Sequence, residues 1–386
     1  MSFSAIMIDI FWASIALLFY TYFGYPLYVV VRAEFFKREV RKNLDYKPSV
    51  SVIISAYNEE SNIERKITNI LGSDYPDDKI EIIVGSDGST DNTGRNLFRI
   101  SKGNVRAYVF SVRRGKASVI NDLVSKASGE ILVFCDARQV FDREAIGHLA
   151  ANFADQKVGC VSGELIFRSS STDSGVSKGI GVYWDYEKLI RKYESDIHSM
   201  VGATGAIYAI RKELFSKLPE DIVLDDLYTP ISAVRKGYRC IFDPDAKAYD
   251  DPAFTSLQEY RRKVRTLAGN YQIFVDCRDM LMPVKSPIAI PLISHKLLRV
   301  LSPFFMILAF ISNLLIARNS FYSLIFFAQI SFYALAIIGG VTYKYRSEGL
   351  IRKAFSAIYM FCLLNFTALA GLYRFLTRKQ NIAWEK

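Results

Sequence analysis

Two stretches of this chain share one plan. Ser49-Val50-Ser51-Val52-Ile53-Ile54-Ser55-Ala56 is a strand-forming run that ends in a polar tip, Tyr57-Asn58-Glu59-Glu60. Ile80-Glu81-Ile82-Ile83-Val84 repeats the run and ends in Gly85-Ser86-Asp87-Gly88-Ser89. Further apolar runs at 105–110 and 130–135 are separated by helical spacing such as Ile63, Ile67, Ile70 and Leu71. Apolar strands joined by helices imply a parallel sheet buried on both faces, hence an α/β fold. Ligands of such a sheet bind outside the carboxyl ends of its strands. Glu59, Asp87 and Asp136 all fall at that edge. A helix cap explains any one of them. Three together favour a nucleotide crevice, where acceptors meet the donor edges of a base or ribose.

A chain of 386 residues suggests two or three domains, and its apolar residues cluster at the two ends. From Ala5 to Val31 only Asp9 is charged, which is long enough to cross a bilayer. No basic region precedes this segment and no small-residue cleavage site follows, so it reads as an uncleaved anchor. Val300 to Ala317, Phe321 to Val341 and Ala354 to Leu372 are three further candidates, making a multi-pass membrane protein. Arg32, Lys37, Arg38, Arg41, Lys42 and Lys47 follow the first span, which places the soluble part in the cytoplasm. Lys344, Arg346, Arg352 and Lys353 agree, whereas Arg374, Arg378 and Lys379 disagree and leave the carboxyl terminus unassigned. The net charge of +10 is concentrated beside membrane segments, so lipid head groups rather than nucleic acid are the expected partners. Five cysteines without a Cys-x-x-Cys pair and three scattered histidines suggest neither a disulfide framework nor a zinc site.

Beyond residue 167 the pattern shortens. Ser169 to Ser177 reads as loop, Tyr183 to Tyr193 as an amphipathic helix, and Val201-Gly202-Ala203-Thr204-Gly205-Ala206 as a turn before an apolar strand. The expected organisation is an anchor and basic linker at 1–47, a cytoplasmic domain at 48–269, interfacial helices at 270–299 and membrane helices at 300–386.

From about Val50 to Gly269 the sequence resembles the membrane-bound inverting family-2 glycosyltransferases, the group of cellulose, hyaluronan and chitin synthases. The resemblance implies a glycosyltransferase A-type (Rossmann-like) mixed sheet flanked by transmembrane helices. It also implies a UDP-sugar donor, with Tyr57, Glu59 and Asp87 at the uracil and ribose positions and Lys116, in Gly115-Lys116, near the phosphates. Asp136 stands first in the family's Asp-x-Asp motif, which binds the divalent metal (Mg2+ or Mn2+) of the pyrophosphate. Here Arg138 replaces the second carboxylate. Either a metal binds through Asp136, phosphates and water, or the guanidinium itself neutralises the diphosphate.

Leu224-Asp225-Asp226 aligns with the motif whose last Asp is the catalytic base, so the resemblance assigns that role to Asp226. An inverting transfer needs one carboxylate to take the acceptor's proton. Capping of the helix over Leu227 to Val234 is the plainer account of both aspartates. Arg262-Lys263-Val264-Arg265-Thr266-Leu267-Ala268-Gly269 matches the Gln-x-x-Arg-Trp signature, with Arg262 and Arg265 on one helix face to stabilise the departing diphosphate. Thr266 replaces the tryptophan that stacks on the acceptor. Trp184, with Tyr183 and Tyr186, is a substitute stacking surface, although aromatic helix faces usually pack into a core. Gly205 lies in a turn small enough for a sugar or lipid phosphate to approach the backbone.

The expected function is sugar transfer to a growing glycan or lipid-linked acceptor. A single-transfer enzyme acting on a membrane lipid, and an inactive relative serving as an assembly subunit, are the alternatives.

Overall fold

The computed structural model describes residues 2–168, 175–250, 256–342 and 350–377. Lys344, Arg346, Arg378 and Lys379, used above for orientation, lie outside these residues, as do the side chains of Tyr183, Arg352 and Lys353.

The expected parallel sheet forms its first half. Strands β1 (Val50–Ala56), β2 (Ile80–Asp87), β3 (Val105–Phe110) and β4 (Ile131–Cys135) run parallel in the order β3-β2-β1-β4. Four more strands complete one eight-stranded sheet: β5 (Val140–Phe141), β6 (Val158–Phe167), β7 (Tyr208–Arg211) and β8 (Arg239–Asp250). Strand β7 pairs antiparallel with both β4 and β6, and β6 runs parallel to β8, so the sheet is mixed. Side chains alternate across it. Ile53 and Ile83 pack on one face, beneath the helix Lys116–Lys126, while Val52, Ile54, Ile82 and Val84 pack on the other. Each large apolar side chain buried in this way contributes about 1.5–3 kcal/mol.

Burial on both faces is what leaves only the strand ends free to present polar groups. The tips of β1 and β2 are tied together by the residues that carry the motifs. The Asn58 side-chain oxygen accepts from the Thr90 amide at 2.8 Å, and Thr93 Oγ1 accepts from the Glu59 amide at 2.8 Å.

Three boundaries differ from the sequence reading. The helix Gly175–Ile197 begins inside the serine-rich stretch taken as loop. Tertiary contacts of Tyr186, Glu187 and Ile190 support it where local composition did not. The helix Ser256–Asp276 runs through the boundary set at 269/270. It can do so because Gly269 lies against Leu224, where an added Cβ would meet Leu224 Cγ at 2.6 Å. Lastly, the second apolar candidate spans Ala289–Ile316, not from Val300 onward. Lys296 and Arg299 interrupt its hydropathy, yet both sit against Glu187, which makes them compatible with a continuous helix.

Four helices are long and apolar enough to cross a membrane: Phe3–Phe36, Ala289–Ile316, Ser320–Val341 and Ala357–Leu376. The first contains a wide turn at Tyr20–Gly24 just before Pro26, which has no N–H to continue a regular ladder. Polar side chains join these helices. Tyr22 donates to Asn365 Oδ1 at 2.7 Å, and the hydroxyls of Tyr20 and Ser294 meet at 2.9 Å.

Candidate active site

The carboxyl edge of β1, β2 and β4 carries the polar cluster anticipated there, but its members divide the work differently. Asp87 is buried, and both of its oxygens are engaged: Oδ1 accepts from the Arg114 amide at 2.7 Å and Oδ2 from the Gly115 amide at 2.9 Å. These two bonds leave further lone pairs on the carboxylate, so a ribose or base contact stays compatible with its place at the strand end. Asp87 shapes the turn that delivers Lys116. Tyr57 lies under Arg113, whose guanidinium carbon is 3.6 Å from the ring centroid. Glu59 accepts from Asn62 Nδ2 at 2.7 Å, within the tip of β1.

Lys116 is the centre of the site. Its ammonium lies 3.2 Å from Asp136 Oδ1 and 3.2 Å from Asp225 Oδ2. Burial alone would lower its pKa, but Asp136, Asp225 and Asp226 outweigh that and raise it, so the lysine stays charged. Asp225 and Asp226 open the helix Asp225–Arg235, where negative charge is favoured. Burial, and then the neighbouring Asp225, push the Asp226 carboxyl up to about 6, against the pull of Lys116 and Arg191. A carboxylate poised near neutrality suits proton abstraction. Neither aspartate makes a side-chain cap hydrogen bond to this helix, whose N-cap residue is Leu224, so capping does not account for the pair.

The turn Val201–Ala206 wraps this carboxylate. The Ala203 amide donates to the Asp226 main-chain oxygen at 2.7 Å. A Cβ on Gly205 would stand 2.9 Å from Asp226 Oδ2, so only glycine leaves the carboxylate where it is.

Arg191 escaped the sequence reading because nothing in a helical run of Arg, Lys and Tyr singles it out. It donates to Thr204 Oγ1 at 2.8 Å, beside Gly205, and its charge acts on Asp226. Behind it stands a buried ionic group. Glu187 meets His295 Nε2 at 3.1 Å and is paired with Arg299, while Glu194 Oε1 meets His295 Nδ1 at 2.9 Å and the Tyr25 hydroxyl at 2.7 Å. Burial raises the Glu187 pKa, but Lys296, His295 and Arg299 outweigh it and hold the carboxyl well below its usual range. This group ties two candidate spans to the acceptor-side turn.

Trp184 is half-buried and held at its edge. Its indole N–H donates to the Leu165 carbonyl at 2.9 Å, and its ring meets Phe167 edge-on at 5.8 Å. The Thr266 hydroxyl turns back to the Arg262 carbonyl at 3.0 Å. Arg262 and Arg265 share a helix face, as their spacing requires, and both are partly exposed.

Arg138 is directed to the end of β8. Its guanidinium pairs with Asp250, which also accepts from Gln139 Nε2 at 3.0 Å. The preceding loop is held from below by the buried Lys66, whose ammonium donates to the Gln139 carbonyl at 3.1 Å. Among the described residues no group of three or more His, Cys, Asp or Glu side chains could hold a metal by itself. Asp136, however, is partly exposed, with a side-chain accessibility of 26%. A small divalent cation is commonly held by one or two carboxylates together with substrate phosphates, so this donor set fits one.

Residues 51–218 match the family described as Glycosyl transferase family 2. The poly-beta-1,6-N-acetyl-D-glucosamine synthase of Staphylococcus aureus (strain COL) is 28% identical over 289 residues, covering 70% of this chain and 68% of the relative. The synthase of the same name from Staphylococcus epidermidis is 22% identical over 321 residues, covering 78% and 76%. A mannosyltransferase from Pyrobaculum calidifontis, solved in complex with GDP-Man and Mn2+, superimposes with a TM-score of 0.72 at 25% identity, covering 96% of this chain and 100% of that one.

Proposed function

We propose that this chain, which carries a family-2 glycosyltransferase domain, transfers a sugar with inversion from a nucleoside-diphosphate sugar to an acceptor hydroxyl at a membrane surface. The observation that carries the reading is Lys116 between Asp136 and Asp225, with the raised carboxyl of Asp226 alongside. The diphosphate lies against Lys116, and Tyr57 and Glu59 line the nucleoside end of the crevice. The acceptor enters by the Gly205 turn. Asp226 takes its hydroxyl proton, the freed oxygen bonds to the anomeric carbon, and the bond from that carbon to the diphosphate oxygen breaks. Arg262 and Arg265 share the charge of the departing diphosphate with Lys116. Asp136 would hold a divalent cation on the donor phosphates, where it supplies further charge neutralisation.

The donor is a UDP-sugar on the motif resemblance. A GDP-sugar is the second reading, favoured by the whole-chain likeness to the mannosyltransferase solved with GDP-Man. Hydrolysis and transfer assays of the purified chain with a panel of UDP- and GDP-sugars decide between them. Turnover of neither class would sink the proposal. We place the domain on the cytoplasmic face, from the basic residues that follow the first span.

Three results are expected. Lys116→Ala weakens nucleoside-diphosphate binding by roughly tenfold to a hundredfold, the loss of a charged hydrogen bond. Asp87→Ala weakens it as well, by releasing the turn at Arg114 and Gly115. Calorimetric titration with UDP and GDP checks both, and unchanged affinity in the two variants would remove the donor crevice from this edge.

Exhaustive chelation abolishes transfer, and added Mn2+ or Mg2+ restores it. Arg138 is engaged by Asp250 and is not the diphosphate's substitute counter-ion on this account. Full activity after chelation, lost in Arg138→Ala, would reverse that assignment.

Products are short, one or few sugars on a lipid-linked or glycan acceptor, because Thr266 stands where a stacking tryptophan would retain a long chain and Trp184 is only half-exposed. Gel filtration of radiolabelled product measures this directly. High-molecular-weight polymer made from a single donor would refute it.

A further inference from the structure

A cavity of about 220 Å³ shares no residue with the donor and acceptor site. It opens where the first two candidate spans meet the domain, near the amino-terminal end of β8. Strand β8 runs parallel to β6, and β7 is antiparallel to both β6 and β4, so this end is opposite the edge that carries Asp136. Tyr28 and Arg32 of the first span, Arg38 just after it, His198 and Ser199, and Ser286 ahead of the second span form its polar lining.

Three guanidinium groups gather in and behind the cavity, with Asp155 and Asp196 acting on Arg239 only from beyond ion-pair distance. Arg32 reaches the Tyr28 hydroxyl, and its guanidinium stacks 5.6 Å from that ring and 5.9 Å from Phe36. Arg38 is exposed, anchored through its main chain alone: its amide donates to the Asp196 carbonyl at 2.7 Å. Directly behind, the buried Arg239 donates only to the carbonyls of His198, Glu39, Arg38 and Ser195. Among the described residues, none of these three guanidinium groups has a carboxylate at ion-pair distance. His198 registers the field, since its burial and the charges of Arg38 and Arg239 push its pKa down to about 4. Glu194 also lines the cavity, but Oε1 is engaged by Tyr25 and His295, and Oε2 accepts from the Val201 amide at 3.3 Å.

We propose that this cavity binds the phosphate of an anionic phospholipid head group, between Arg32 and Arg38. Guanidinium groups match phosphate oxygens in a planar fork. The hydroxyls of Ser286 and Tyr28 supply further donors. Val29 and Ile290 make the flanks apolar, which suits the start of acyl chains. Such a lipid would join the first span, the second span and the soluble domain at one point, and would couple membrane composition to the positioning of the helix Gly175–Ile197.

The test uses the full chain in a neutral detergent, with dioctanoyl-phosphatidylglycerol, dioctanoyl-phosphatidylcholine and inorganic phosphate titrated separately. Ligand-dependent rise in the unfolding temperature is the readout. Phosphatidylglycerol should stabilise saturably, and more strongly than phosphatidylcholine. The double variant Arg32→Ala/Arg38→Ala, both exposed positions, should unfold normally without lipid and bind phosphatidylglycerol roughly thirtyfold more weakly, about fivefold for each basic residue at a membrane surface. Arg38→Lys should retain most of the affinity. Saturable stabilisation by inorganic phosphate alone, with the same arginine dependence, would keep the phosphate site and overturn the lipid as its source. Equal affinity for both lipids, or undiminished binding by the double variant, would overturn the site itself.

Discussion

Asp226→Asn is expected to lower sugar transfer by two to four orders of magnitude, the usual cost of removing a general base, while nucleotide affinity stays close to that of the parent. Asparagine keeps the shape against Gly205 and the main-chain bond from Ala203, so folding is preserved. What it removes is the capacity to take a proton. The parent enzyme should show an acid limb near pH 6, since the Asp226 carboxyl is pushed up to about 6. Activity then falls about tenfold between pH 7 and pH 5. Any residual activity of the variant should lack that limb.

Stability carries the complementary signature. The folded state holds the Asp226 proton more tightly than the unfolded chain does. The group's contribution is therefore complete below about pH 4 and is lost as pH rises through about 6. Asp226→Asn should not show this loss. Near-normal turnover in the variant, or an unchanged acid limb, would show that another group is the base.

Gly205→Ala is the second large effect, because it touches nothing but geometry. The added methyl would stand 2.9 Å from Asp226 Oδ2 and 3.5 Å from its Cβ, so the carboxylate must turn away. Displacement of a reacting group by about 1 Å costs on the order of a hundredfold in rate. The fold should lose little, since a glycine-to-alanine change restricts the unfolded chain and returns roughly 0.4–1 kcal/mol. The expected result is a hundredfold drop in kcat at nearly constant donor KM and unfolding temperature. If kcat holds, Asp226 acts without the constraint of this turn. If the unfolding temperature collapses with it, Gly205 is there for packing.

Much of this architecture was legible in the residues themselves. The centres of the runs, Val52–Ile54 and Ile82–Val84, are apolar, and a strand buried on both faces places its charged and ligand-facing groups toward its ends. That local rule placed Glu59, Asp87 and Asp136 at one edge. Length and hydropathy likewise marked Ala5 to Val31 and Phe321 to Val341, which lie within the helices Phe3–Phe36 and Ser320–Val341.

Other assignments depended on where distant segments meet. Asp87 reads as a ligand contact in sequence, and its second task, holding the amides of Arg114 and Gly115, exists only once β2 lies beside β3. For Arg138 the sequence leaves open whether the guanidinium meets the diphosphate or points elsewhere, and Asp250, at the far end of β8, pairs with it. Arg191 has no motif, and its reach to Thr204 exists only after the helix Gly175–Ile197 docks on the turn. Lys296 and Arg299 shorten the second span in a hydropathy reading and are tolerated because Glu187 faces them. Strand period and apolar length are properties of neighbouring residues, so the sequence by itself determines them. The partner of a charge lies tens to hundreds of residues away, and only the tertiary structure decides which carboxylate it meets.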